Sequence, residues 1–148
     1  MTDSSDLLLV ITIFLSLAFA YSNGINDAAN AIAAVVSTRA LRPSHAVILG
    51  AGMNFLGALT GTAVAATIGS KVVRPEFATD TTALGAIGAA VLWVFTATRY
   101  GIPVSVSHSL FAGLVGAGIA SGGVDAIVAS SAIKIVIALA ASPVLGFF

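Results

Sequence analysis

Within YSNGINDAANA, residues 21–31, Asn23, Asn26, Asp27 and Asn30 crowd three amides and a carboxylate into eight positions. On a helix, Asn23 and Asp27 stand four apart, Asn26 and Asn30 four apart, and Asp27 and Asn30 three apart, so all can share one face. A carboxylate repels anions. Asp27 therefore suits a bound cation, Na⁺ or H⁺, with the amide oxygens of Asn23, Asn26 and Asn30 as further hard ligands. The simpler alternative is that Asn26 or Asp27 caps a helix at the membrane edge. Apolar residues on both sides argue against it, because they place the cluster near mid-span. An ionised Asp there costs about 2.5–3.5 kcal/mol, so it points to function and a partner. The Ser22-Asn23-Gly24 step favours a local break in this first helix, opening backbone carbonyls to the same ion.

A second polar interruption, GIPVSVSHSLFAG, begins at Gly101. Pro103 cannot continue a preceding helix and biases Ile102 to an extended shape. Ser105, Ser107, His108 and Ser109 then precede an apolar, glycine-rich run to Ala120. A helix starting there would offer free N–H groups beside hydroxyls, which is the recipe for holding an oxyanion. The competing reading is an ordinary capped helix with a satisfied interior histidine. A hydrolase built on Ser107 and His108 is disfavoured, since adjacent helical residues diverge by about 100°. Ser105 and His108 would be better placed, but no nucleophile elbow surrounds either serine.

The elements that must position these groups are membrane helices. The chain has 148 residues, 58% hydrophobic and 8% charged, far below the roughly 25% charged of soluble domains. Six basic and six acidic residues balance, which leaves no basic field for nucleic acid, and the lack of Cys excludes disulfides and thiolate metal sites. Apolar stretches cover about 7–36, 46–68, 83–97 and 125–148; the third is marginal for a span of roughly 20 residues. The run over about 102–120 is short for a full crossing, so it predicts a re-entrant hairpin. Residues 7–20 are long enough for a signal peptide, but Asp3 and Asp6 precede them with no basic residue, so a retained helix is expected. Arg39 and Arg42 place the first connector in the cytoplasm and the N-terminus outside; the mixed charges of residues 70–82 weaken that orientation. Gly57 and Gly61 form a small-residue packing face. Lys134, deep in the last stretch, could snorkel, pair with an acid or face a cavity. The ending ALAASPVLGFF stops inside an apolar run, as in a truncated chain or half of a larger one.

GINDAANA (24–31) resembles the G-x-N-D-x-x-N-A signature of the PiT inorganic phosphate transporter family, and TRYGIPVSVSHSLFAGLVGAG (98–118) resembles its second motif. SPVLG (142–146) is similar to the end of that family's first repeat. The resemblance implies cation-coupled transport of inorganic phosphate by alternating access, in a fold of two inverted repeats at the cell membrane. It gives Asn26, Asp27 and Asn30 to the ion and phosphate site and Ser105, Ser107 and His108 to the hairpin tip. Only one copy of the signature is present, so a second repeat or a second copy of the chain is the expected partner, beside phosphate and lipid. No cofactor is implied beyond the coupling ion. Many eukaryotic members carry a Glu where Asn54 stands here, which leaves Na⁺ or H⁺ open. The fold expected is all-α and polytopic, one repeat over 1–148 with a broken first helix. Sulfate or another tetrahedral oxyanion is the alternative cargo, and a structural half without transport the alternative role.

Overall fold

The computed structural model describes residues 4–60, 71–102 and 104–147. Pro103, Gly61 and the end of the second apolar stretch lie outside them. Among the described residues, α-helices follow in chain order: α1 Ser4–Ser37, α2 Pro43–Thr60, α3 Asp80–Arg99, α4 Val106–Gly122 and α5 Ala129–Phe147. Among the described residues no strand forms; a lone antiparallel bridge pairs Val73 with Ile127. Among the described residues three helices, α1, α3 and α5, are long and apolar enough to cross a membrane.

The expected break in the first helix is absent. α1 is helical without interruption through Asn23, Gly24 and Asn26. A break would free backbone groups that lipid cannot satisfy. Among the described residues nothing lies within 4 Å of where a Gly24 Cβ would stand, so none of them is there to take such groups. α1 ends instead at a left-handed residue, Arg39 (φ 58), where Arg39 N donates to Val36 O and Ala40 N to Val35 O. That pair of bonds closes a Schellman turn and reverses the chain. α2 then runs back antiparallel, Gly50 meeting Ile32 of α1.

α3 is the central helix. Thr82, Ala86, Ala90, Val94 and Ala97 are buried along it at four- and three-residue steps, one continuous small-residue face. α4 packs antiparallel on α3, so closely that a Cβ on Gly113 would stand 2.6 Å from Ala86 O. The predicted hairpin over 102–120 is thus corrected. Those residues give a single arm, α4, and the marginal third stretch is the other arm, α3.

The base of this α3–α4 hairpin is clamped. Arg74 N donates to Ala126 O at 2.8 Å and Val128 N to Val72 O at 2.9 Å. Val72, Val73 and Ala126 are buried there, and the Phe77 ring lies over Gly122. α5 has no buried residue; Ile133, Ile137 and Leu145 are all exposed.

Candidate functional site

α1 and α3 run parallel, and two contacts fix their register. Leu15 lies against Gly88, and eleven residues on, Asn26 meets Thr98. Asn26 Nδ2 donates to Thr98 Oγ1 at 3.2 Å. Thr98 is in the last turn of α3, which ends at Arg99. α1 continues from Asn26 to Ser37, about 16 Å further at 1.5 Å per residue. The hairpin tip therefore stops partway along α1, level with the asparagine cluster.

Because α1 is unbroken, its four polar residues fall within an arc of about 100°. Asn26 meets α3 and is half-buried; Asn23 is also half-buried, whereas Asp27 and Asn30 are exposed. Among the described residues, Asn23, Asp27 and Asn30 make no side-chain hydrogen bond. The unwound carbonyls expected around Asp27 are committed to the helix.

At the other polar interruption the sequence placed the helix start well. Ser105 is the N-cap of α4 (φ −85, ψ 119), its Oγ accepting from His108 N at 3.4 Å. The same Oγ lies 2.6 Å from His108 Nδ1, and Ser109 Oγ donates to Ser105 O at 2.8 Å. The N–H groups of Val106 and Ser107 have no intrahelical acceptor. Ser105, His108 and Ser109 form the polar part of an open groove of about 800 Å³, floored by Trp93, Ala112 and Gly113. Ser107, in the same first turn, is exposed and does not line it.

A smaller groove of about 310 Å³ separates α1 from the end of α3. Ser22, Ile25, Phe95, Thr98 and Arg99 line it, and Ser22 is buried. The sequence reading passed over Thr98 and Arg99. Both stand just ahead of the second motif's glycine, and only the parallel packing of α1 and α3 brings them beside the first. The structure thus joins Asn26 to the hairpin tip through Thr98, and Ser105 to His108. Among the described residues no hydrogen bond links the two sets directly.

The phosphate transporter family model matches residues 23–148. A probable low-affinity inorganic phosphate transporter of Bacillus subtilis (strain 168) is 45% identical over 147 residues, 96% of this chain and 44% of its own length. A putative phosphate permease of Pyrococcus furiosus is 39% identical over 148 residues, 96% of this chain and 36% of its own. A solved structure of a sodium-dependent phosphate transporter superposes with a TM-score of 0.90 at 34% identity, covering 95% of this chain and 36% of that one. The chain spans less than half the length of these relatives. They are transporters and permeases, not enzymes, which answers the hydrolase reading despite the Ser105–His108 contact.

Proposed function

Because the chain belongs to the phosphate transporter family and is an integral membrane protein, we propose that it is one repeat of a carrier moving inorganic phosphate with a coupled cation by alternating access. The observation that carries this reading is the level of the hairpin tip. The Asn26–Thr98 bond marks the end of α3 as level with the polar face of α1, which supports a shared depth for the cation-type and oxyanion-type groups.

Phosphate would meet α4 at its start. The unpaired N–H groups of Val106 and Ser107 and the Ser107 hydroxyl are donors, reinforced by the positive end of the helix dipole. We assign the Ser105 proton to His108 Nδ1, which leaves Nε2–H as one more donor toward the groove. Asp27, with the oxygens of Asn23, Asn26 and Asn30, would hold the cation. Na⁺ is the reading favoured by the likeness to a sodium-dependent carrier. Asp27 and Asn30 are exposed on α1, and hydrocarbon is a costly neighbour for them. That face therefore calls for a water-filled cavity or further protein, supplied by a second repeat or a second copy. The basic residues Arg39 and Arg42 after α1 favour a cytoplasmic first connector, with the N-terminus outside the cell membrane.

Radiolabelled phosphate uptake into proteoliposomes tests this, with and without an inward Na⁺ gradient. Gradient-driven uptake that Asp27→Asn abolishes is expected. Uptake indifferent to both the gradient and Asp27→Asn would overturn the coupling. Phosphate can donate a hydrogen bond near pH 7 and sulfate cannot, so an excess of sulfate should compete poorly; equal competition would remove any role for Asp27 or His108 in reading that proton.

A further inference from the structure

We propose that Thr98 is a positioning residue for the coupling-cation site, acting through the carboxamide of Asn26; this rests on the reading of Asp27 and its neighbouring amides as that site. Among the described residues, Asn26 is the one member of the four-residue cluster whose side chain a partner holds. Its Nδ2 donates to Thr98 Oγ1, so Oδ1 is not the atom spent on α3. A hard cation needs acceptor oxygens, whereas an oxyanion needs donors. In the orientation the structure records, the bond occupies Nδ2 and leaves Oδ1 of Asn26 free to accept.

An unheld carboxamide would not serve as well. The terminal torsion of Asn is broad and roughly two-fold, so a free Asn26 would turn its NH₂ toward the ion about as often as its oxygen. Thr98 is itself well placed to hold it, because Val94 and Ala97 on the same helix are buried and fix the local backbone. The hydroxyl is also part of the hairpin tip that leads to Ser105. One contact therefore orients a cation ligand, while the packing of Leu15 on Gly88 also holds α3 against α1.

The test uses the full-length protein in proteoliposomes and separates two half-saturation values. The Na⁺ value is measured at saturating phosphate, and the phosphate value at saturating Na⁺. Thr98→Val and Thr98→Ala should each raise the Na⁺ value about three- to tenfold, the worth of one net hydrogen bond. The phosphate value and the maximal rate should stay within about twofold, and Thr98→Ser should restore the parent Na⁺ value. In an Asn26→Ala background, Thr98→Val should add no further shift. The proposal is overturned if both Thr98 variants keep the parent Na⁺ dependence, if Thr98→Ser is as impaired as Thr98→Val, or if the shift persists without Asn26. Should Asn26→Ala itself leave the Na⁺ dependence untouched, the cation reading falls and the proposal with it. A shift in Asn26→Ala alone would remove only the role of Thr98.

Discussion

At Gly113 on α4 the hairpin arms pack against each other with no room for a Cβ, and adding one methyl group there should part them. An ideal Cβ on Gly113 stands 2.6 Å from Ala86 O and 3.4 Å from Ala86 C, with backbone as the obstacle. Lengthening the 2.6 Å contact to an ordinary 3.4 Å requires the arms to separate by about 0.8 Å. Gly88, on α3, supplies the control: its Cβ would meet Leu15 Cδ1 at 3.9 Å, an ordinary contact with a flexible side chain. Both glycines are inside helices, so the gain of about 1 kcal/mol in helix propensity from Gly to Ala cancels between the two variants. What remains is overpacking, about 1–3 kcal/mol against Gly113→Ala. Reversible unfolding by SDS in mixed micelles would read this difference directly. Equal stability of Gly113→Ala and Gly88→Ala would refute the close packing of α3 on α4.

Three further outcomes follow from the same geometry. Ser105→Ala removes the α4 cap and the partner of His108 Nδ1, so the phosphate half-saturation should rise about threefold or more, since a lost cap is worth about 0.5–2 kcal/mol; an unchanged value would detach Ser105 from the site. His108→Gln, which keeps a donor, should retain more phosphate uptake than His108→Ala, and equal losses would count against the Nε2–H assignment. Thr82 is buried at the hairpin base, where its Oγ1 donates to Phe77 O at 2.7 Å and lies 2.8 Å from Ser121 Oγ. Thr82→Val should cost about 1–3 kcal/mol of stability with no change in phosphate half-saturation, and a shifted half-saturation would show that the base is part of the site.

Much of this was legible because lipid makes polarity expensive. Asp27 and the asparagines announced themselves by interrupting an apolar run, and the Ser105 cap marked a helix start that the structure reproduces. The helix break was misread because Gly and Asn compete with helix only where something else can take the released backbone groups, and among the described residues none stands beside the Cβ side of Gly24. The hairpin was assigned to the wrong residues because run length alone separates a crossing from a return. Which arms pair depends on Ala86 meeting Gly113 and on the Val72–Val128 clamp, contacts far apart in sequence. Thr98 and Arg99 went unnoticed for the same reason. A threonine at a helix end acquires meaning only when a parallel neighbour lays Asn26 against it.

The clamp at the base of the hairpin makes α3 and α4 a cantilever. One end is built in by paired backbone bonds and the buried Val72, Val73 and Ala126, while Asn26–Thr98 is the side-chain hydrogen bond that ties the far end to α1. The 20 residues of α3 make an arm of about 30 Å. A rotation of about 6° at the base would then carry the tip about 3 Å, enough to exchange one hydrogen-bonded neighbour for another. The length of α3 alone therefore converts a small angular change at the base into an ångström-scale displacement at the level of Asn26.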